Sequence, residues 1–151
     1  ENVHILNGNA EDLEAECANY EKQIAEIGGI DLFMGGIGPD GHIAFNEPGD
    51  DFGLETHVVD LTESTIEANS RLFNSKDEVP RAALSMGIGN IMNAKQIVLV
   101  ANGAAKAKAI KDALEGEITP WCQASILQLH PNVTFILDEE AASALEAYKA
   151  L

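Results

Sequence analysis

Three ionisable side chains lie close together in a glycine-rich stretch of the sequence: Asp40, His42 and Glu47. A carboxylate next to an imidazole fixes the tautomer of the ring and stabilises its charged form, and a second carboxylate raises the pKa of such a ring toward neutrality. The stretch contains neither serine nor cysteine, so it offers no nucleophile for acyl transfer. The trio therefore favours proton transfer on oxygen or carbon. The alternative is an ordinary Asp-Gly turn with a histidine that only caps backbone groups.

The glycines around this trio allow backbone N–H groups to approach a ligand, and Gly36, Gly38 and Gly41 are the positions that we expect to bind substrate. The stretch is not a Walker A loop, because no Gly-Lys-Ser/Thr follows. It also departs from the dinucleotide fingerprint G-x-G-x-x-G, since Pro39 and Asp40 suit a turn better than the start of a helix. The glycine pattern alone is thus a weak signal.

The second group of candidates is cationic. Lys106 falls in the first turn of a predicted helix, where free N–H groups and the helix dipole favour an anion such as phosphate. Lys108 and Lys111 follow it, and we interpret both as part of a solvated helix face. Arg71, near the end of another amphipathic helix, is the third candidate for binding substrate.

The remaining chemistry-bearing side chains are interpreted as structural. His4 and His130 have no partners nearby in sequence, and Trp121, Cys122 and Met34 are predicted to lie in the core or in a pocket wall.

Short apolar runs alternate with amphipathic stretches, which predicts an α/β fold: a Rossmann-like, doubly wound, mainly parallel sheet flanked by helices. Strands are predicted over 3–6, 30–34 (buried on both faces), 56–61, 96–101 and 133–137, and helices over 10–27, 62–73 with Thr62 as N-cap, 104–114 and 138–151. Ligands of such sheets bind at the carboxyl ends of strands. The loop after Met34 and the turn after Ala101 are therefore the expected binding positions.

Composition limits the class of protein. The chain has 151 residues, which fits a single domain over 1–151, and its formal net charge is −16. Because such an acidic surface repels phosphate backbones and anionic lipids, we expect no nucleic-acid or membrane partner. No apolar run is long enough to span a bilayer, and the cysteines form no C-x-x-C pair. These features predict a soluble cytoplasmic protein.

The stretch 32–48, LFMGGIGPDGHIAFNEP, resembles the signature of the glucosamine-6-phosphate deaminase family. The related 6-phosphogluconolactonases share G-x-G-P-D-G-H and then diverge, so residues 43–48 decide for the deaminases. The resemblance covers essentially the whole chain; it continues through NSR at 69–71, VP at 79–80, ALSMGIG at 83–89, Lys106 and LQLHP at 127–131.

The resemblance implies conversion of glucosamine 6-phosphate to fructose 6-phosphate and ammonia by ring opening and aldose–ketose isomerisation. It implies an enzyme classed as a deaminase and hydrolase, a small sugar phosphate as partner, and no metal or organic cofactor. His42 is then the acid/base of ring opening, with Asp40 and Glu47 to orient and tune it. Lys106 and Arg71 match positions that bind the phosphate or line the pocket.

Two departures from the family are visible. The family's N-terminal part is missing, with its Ser-Gly-Gly-type phosphate loop and the expected base for the C2 proton. The domain is therefore expected to be incomplete, to lack N-terminal strands and to be weak or inactive alone, and an exposed sheet edge leaves a homo-oligomer open. Asp50 and Asp51 also stand where allosteric members bind a phosphate, so we expect no allosteric activation.

Two alternatives remain open at this point. One is a 6-phosphogluconolactonase-like hydrolase or another sugar-phosphate isomerase of the same superfamily. The other is a non-catalytic module that binds a sugar phosphate.

Overall fold

The computed structural model describes residues 2–149. Its strands are β1 (Leu32–Gly35), β2 (His57–Asp60), β3 (Ala82–Ser85), β4 (Gln96–Ala101) and β5 (Val133–Leu137). Its α-helices are α1 (Leu13–Glu26), α2 (Glu63–Asn69), α3 (Ile88–Met92), α4 (Ala107–Glu115), α5 (Glu139–Ala142) and α6 (Glu146–Lys149). Short 3-10 helices cover Ser70–Leu72, Lys76–Glu78, Ala104–Lys106 and Gln123–Leu129. None of the helices in this described part is long and apolar enough to cross a membrane.

A three-stranded parallel sheet in the order β1-β4-β5 forms the centre of the molecule. The central strand β4 is the most hydrophobic, and its Ile97 and Leu99 side chains are fully buried. Helices flank this sheet, so the predicted α/β class with a parallel sheet is confirmed. Parallel strands place their carboxyl ends on one edge, which brings the ends of β1 and β4 together.

The expectation that the strand at residues 30–34, which is β1 in the structure, is buried on both faces is wrong. In β1, Phe33 packs against the core, whereas Leu32 and Met34 point to the other face and Met34 is 71% exposed. The apolar run at 30–34 has no alternation in its sequence, so it could not show that only one face of β1 is covered by described residues.

Helix α4 packs one face on the core through Ala109, Ile110 and Ala113. The 3-10 helix Gln123–Leu129, which the sequence pattern did not predict, lies against it and adds Leu127 to the same core. Both elements therefore belong to the same core as Ile97 and Leu99 of β4.

A two-stranded antiparallel sheet, β2 and β3, lies outside the central sheet. Strand β2 was predicted, but β3 was not, because Gly87 and Gly89 obscured its apolar pattern. Helix α2 follows β2 and begins as predicted at an N-cap, where the Thr62 hydroxyl accepts a hydrogen bond from Thr65 N.

Three local predictions are wrong. Residues 3–6 form no strand, because they pair with no described strand. Trp121 is 63% exposed and so does not lie in the core. The helix predicted over 138–151 is interrupted between α5 and α6: Ser143 Oγ donates to Glu140 O at 2.7 Å, and Glu115 of α4 accepts from Glu146 N at 2.9 Å. Residues 150 and 151 of that prediction lie outside the described residues.

Candidate active site

A cavity of about 510 Å³ opens where β1 and β4 end. Its wall is formed by the glycine-rich loop after β1, by α2 with the 3-10 turn after it, and by the turn after β4. The lining side chains include His42 from the loop, Thr65 and Arg71 from the α2 region, and Lys106. The cavity thus lies at the carboxyl edge of the parallel sheet, where the strand pattern placed it.

The loop that carries the ionisable trio is fixed at its far end. Ile43 is fully buried, and the amide of Asn46 donates to Ile43 O at 2.9 Å and to Met86 O at 2.8 Å. Phe45 N donates to the Ser85 hydroxyl at 3.0 Å. Ala44, between these anchors, adopts a left-handed backbone with φ of 52°. These contacts hold the loop in one conformation at a small cost in backbone strain.

His42 lies between two carboxylates. Its Nδ1 is 2.8 Å from Asp40 Oδ1 and 3.3 Å from Glu47 Oε2. Neither Nδ1 nor Oε2 makes a hydrogen bond of standard geometry, so both are close contacts that become ion pairs when the ring is protonated. The structure thus brings together the three side chains that the sequence singled out, with both carboxylates at one imidazole nitrogen, and their acid/base role stays a prediction.

Glu47 is held from the other side by threonines that the sequence analysis missed. Its Oε1 accepts a hydrogen bond from Thr65 Oγ1 at 2.6 Å and weaker ones from Thr62 Oγ1 at 3.3 Å and Thr62 N at 3.4 Å. Thr65 is buried. With Oε1 fixed by the start of α2, Oε2 faces the imidazole. The N-cap pattern identified Thr62 as a helix start, but no sequence signal linked either threonine to Glu47.

Asp40 has a strongly shifted acidity. Burial raises the pKa of this carboxyl, but the contact with the His42 ring and the hydrogen bond from His42 N at 3.2 Å outweigh it and lower the pKa to about 2. Asp40 is therefore an anion throughout the physiological range, as a residue that stabilises an imidazolium must be.

The three glycines have different environments. Gly36 and Gly38 line the cavity, and a Cβ on Gly38 would overlap the ring of His42, so only glycine allows the ring to lie there. Gly41 is not among the residues that line the cavity. Its φ of 89° and the closeness of Cys122, whose Sγ would lie 2.6 Å from a Cβ at this position, require glycine at the turn, and its role in binding substrate stays a prediction.

The two cations that the sequence selected both line the cavity, and they differ from every other cation of the chain. Seven of the nine lysines and arginines form ion pairs. Lys106 and Arg71 pair with no acidic residue among the described ones. Burial lowers the pKa of Lys106, and the negative charge of Asp40 partly opposes this. Two cations that have no acidic partner among residues 2–149 and that share a cavity with His42 are suited to bind a small anion.

Residues interpreted as structural behave mostly as expected. His130 is buried and bonds Ala94 O at 2.8 Å, and Lys108 and Lys111 form exposed ion pairs. Cys122 is buried, and burial raises the pKa of its thiol. His4 is exposed and lies outside any strand.

The trio also has the geometry of a metal site, although the sequence predicted none. Asp40, His42 and Glu47 each offer one ligand-type atom, and these atoms lie within 4.8 Å of one another.

Comparison with known proteins relates the whole chain to one family. A family model described as glucosamine-6-phosphate isomerases/6-phosphogluconolactonase matches residues 1–134. A glucosamine-6-phosphate deaminase of Phocaeicola vulgatus is 58% identical over 147 residues, which are 97% of this chain and 56% of the relative. A glucosamine-6-phosphate deaminase of Thermoanaerobacter pseudethanolicus is 57% identical over 145 residues, which are 96% of this chain and 57% of the relative. The chain therefore spans little more than half the length of these relatives.

Solved structures give the same relationship. A monomeric glucosamine-6-phosphate deaminase superposes on this chain with a TM-score of 0.90 at 50% identity. The superposition includes 93% of this chain and 58% of the deaminase. The 6-phosphogluconolactonase of Trypanosoma brucei superposes with a TM-score of 0.62 at 24% identity, over 92% of this chain and 57% of the lactonase. This likeness shows a shared fold only.

One expectation from the sequence is corrected by these comparisons. The chain was expected to be classed as a hydrolase, but its similar relatives are named deaminases and the matched family is described first as isomerases. The motif that carries the resemblance identifies a family rather than a reaction class, so the names of the relatives correct this expectation.

Proposed function

Because the chain belongs to the family of glucosamine-6-phosphate isomerases and 6-phosphogluconolactonases, we propose that its site binds glucosamine 6-phosphate. We propose further that it acts in the conversion of this sugar phosphate and one water molecule to fructose 6-phosphate and ammonia. The observation that carries this proposal is the pair of unpaired cations, Lys106 and Arg71, in one cavity with His42. A sugar phosphate fits both halves of such a site. Its phosphate binds to Lys106 and Arg71, and its sugar ring contacts His42.

The geometry gives each residue a task. The Nδ1 edge of His42 faces Asp40 and Glu47, so the opposite nitrogen, Nε2, is the one available to substrate. In this role Nε2 takes the proton of the C1 hydroxyl and returns a proton to the ring oxygen as the sugar ring opens. The two carboxylates stabilise the imidazolium formed between these steps.

The cations position the substrate. Lys106 and Arg71 hold the phosphate, while the backbone at Gly36 and Gly38 lets the sugar approach the histidine closely. We place this site in a single domain that binds a small molecule. A cytoplasmic location belongs to the same proposal, since the two free cysteines suit a reducing compartment.

Calorimetric titration of the chain with fructose 6-phosphate tests the anion side. We expect Lys106→Met to weaken binding about tenfold or more, because a charge-assisted hydrogen bond is lost. Lys108→Met is the matched control, since Lys108 is exposed and paired with Asp112, and it leaves binding unchanged. Equal effects of the two substitutions, or no binding by the unsubstituted chain, would contradict the proposal.

Release of ammonia and fructose 6-phosphate from glucosamine 6-phosphate tests the chemistry, with the Phocaeicola vulgatus relative as positive control. We expect His42→Gln to abolish whatever turnover the chain shows. Binding without turnover would favour the sugar-phosphate-binding module. Hydrolysis of 6-phosphogluconolactone in place of deamination would favour the lactonase.

A further inference from the structure

We propose that Asp40, His42 and Glu47 bind a divalent transition-metal ion such as Zn²⁺, and that the bound ion inhibits the site. The sugar-phosphate chemistry proposed above needs no such ion. Metal binding is thus a separate property of the same residues, and only its inhibitory effect rests on the proposed function.

The distances between the donor atoms fit a zinc ion. Zinc lies about 2.0–2.2 Å from histidine nitrogen and carboxylate oxygen, so neighbouring donors of a tetrahedral site are about 3.3 Å apart. Here His42 Nδ1 is 2.8 Å from Asp40 Oδ1 and 3.3 Å from Glu47 Oε2, and all three donors lie within 4.8 Å of one another. Shifts of a few tenths of an ångström are enough to place an ion in contact with all three.

Two of the donor atoms are buried without a hydrogen bond. The side chain of Glu47 is 7% exposed, and its Oε2 has no hydrogen-bond partner. The same is true of His42 Nδ1. The threonines at the start of α2 fix only Oε1, so the free oxygen is directed at the imidazole. Buried polar atoms without partners are costly, and a shared metal ion would satisfy both.

Charge and donor type select the class of ion. Two carboxylates around a neutral imidazole carry a charge of −2, which a dication neutralises, and the net charge of −16 attracts cations to the molecule. One nitrogen and two oxygen donors suit Zn²⁺, Co²⁺ or Ni²⁺, whereas Mg²⁺ and Ca²⁺ prefer oxygen alone. Asp40, the most exposed member of the trio, offers the route of entry.

The expected consequence is inhibition. A metal on Nδ1 holds the ring as a neutral ligand and replaces the proton that the two carboxylates otherwise stabilise. His42 then no longer accepts and returns a proton, so the acid/base step stops.

The binding test needs no enzymatic activity. Titration of the chain with ZnCl₂ is expected to show one site, and Co²⁺ is expected to give the visible absorption of a low-symmetry complex. Binding is expected to weaken about tenfold or more in His42→Gln and in Glu47→Gln. His57→Gln and Asp51→Asn are the matched controls outside the trio, and both retain the site. Circular dichroism checks that every variant is folded, and Asp40→Asn provides a variant at the more exposed ligand.

The outcomes separate clearly. Loss of binding in the trio variants alone supports the site. No zinc binding at micromolar concentration, equal loss in the controls, or displacement of Zn²⁺ by a modest excess of Mg²⁺ would overturn it. In the turnover assay, Zn²⁺ is expected to stop ammonia release until EDTA is added. Turnover that continues with the site occupied would overturn the inhibitory role.

Discussion

At the scale of single residues, Glu47 links two parts of the site. One carboxylate oxygen accepts hydrogen bonds from Thr65 and Thr62, and the other faces His42. The position of the imidazole therefore depends on side chains that never reach the substrate themselves. Asp40 contacts the same ring nitrogen through its Oδ1, at 2.8 Å.

Removal of the Thr65 hydroxyl is expected to destabilise the fold. In Thr65→Val the shape of the side chain is kept, but the buried carboxylate of Glu47 loses its shortest hydrogen bond. We expect the free energy of unfolding in urea to fall by about 1.5–3 kcal/mol, since hydrogen bonds to charged groups are worth about that much.

Thr65→Ser is the matched control, because it keeps the hydroxyl and loses only a methyl group, which costs about 0.8 kcal/mol. A Thr65→Val protein as stable as Thr65→Ser would show that the hydrogen bond to Glu47 contributes little.

Lys106 gives a prediction about pH. Burial lowers the pKa of this amine, so it loses its charge at a lower pH than an ordinary lysine does. The affinity for fructose 6-phosphate, measured by calorimetry between about pH 7 and 10, is therefore expected to fall as the pH rises. Lys106→Arg keeps its charge over this range and is expected to bind independently of pH. A decline of equal size in both proteins would assign the titration to another group.

At the scale of elements, parallel pairing creates the site. Strands β1 and β4 run side by side with Phe33 opposite Ile97, so the loop that carries His42 and the turn that carries Lys106 emerge on one edge. Helix α2 and the 3-10 helix that follows it approach this edge from outside the central sheet and contribute Thr65 and Arg71. Correct packing of β4 is therefore a condition for the site.

Substitution of two isoleucines on neighbouring strands tests how much the packing of β4 contributes to the stability of the fold. Ile97 on β4 is fully buried, whereas Ile136 on β5 is 53% exposed. We expect Ile97→Ala to lower the free energy of unfolding by about 2–5 kcal/mol, because it removes transfer energy and leaves a cavity. Ile136→Ala, the same chemical change on the open face, is expected to cost less than about 1 kcal/mol. Urea titrations of both variants provide the measurement, and similar losses would mean that the two faces are equally packed.

At the scale of the whole molecule, charge is the dominant feature. There are 25 acidic residues and 9 basic ones, and seven of the basic ones form ion pairs, mostly exposed. Most carboxylates of the described residues therefore have no cationic partner and repel one another. The exceptions to this acidic surface are the two cations in the cavity, which makes that cavity the natural place for an anion.

This imbalance predicts the effect of salt. Screening weakens the repulsion among carboxylates more than it weakens the few surface ion pairs, so the compact state gains. The urea midpoint is expected to rise between about 0.02 and 0.5 M NaCl. Sucrose at matched osmolality serves as the uncharged control. A midpoint that falls with added NaCl would mean that ion pairs outweigh the repulsion.

The sequence by itself determined the local features of this protein. Apolar runs located β1, β2, β4 and β5, and the N-cap pattern located the start of α2, while residue types proposed candidates, most of which one cavity brings together. These succeed because strand and helix periodicity, caps and ionisable groups are properties of neighbouring residues.

Only the tertiary structure decided what distant residues do to one another. Thr65 and Glu47 are far apart in sequence, and their hydrogen bond exists only because α2 packs against the loop. The exposed face of β1 likewise depends on which elements cover it, and the unpaired state of Lys106 and Arg71 depends on where every carboxylate lies. Contacts of this kind are set by the packing of the whole chain, which local patterns do not encode.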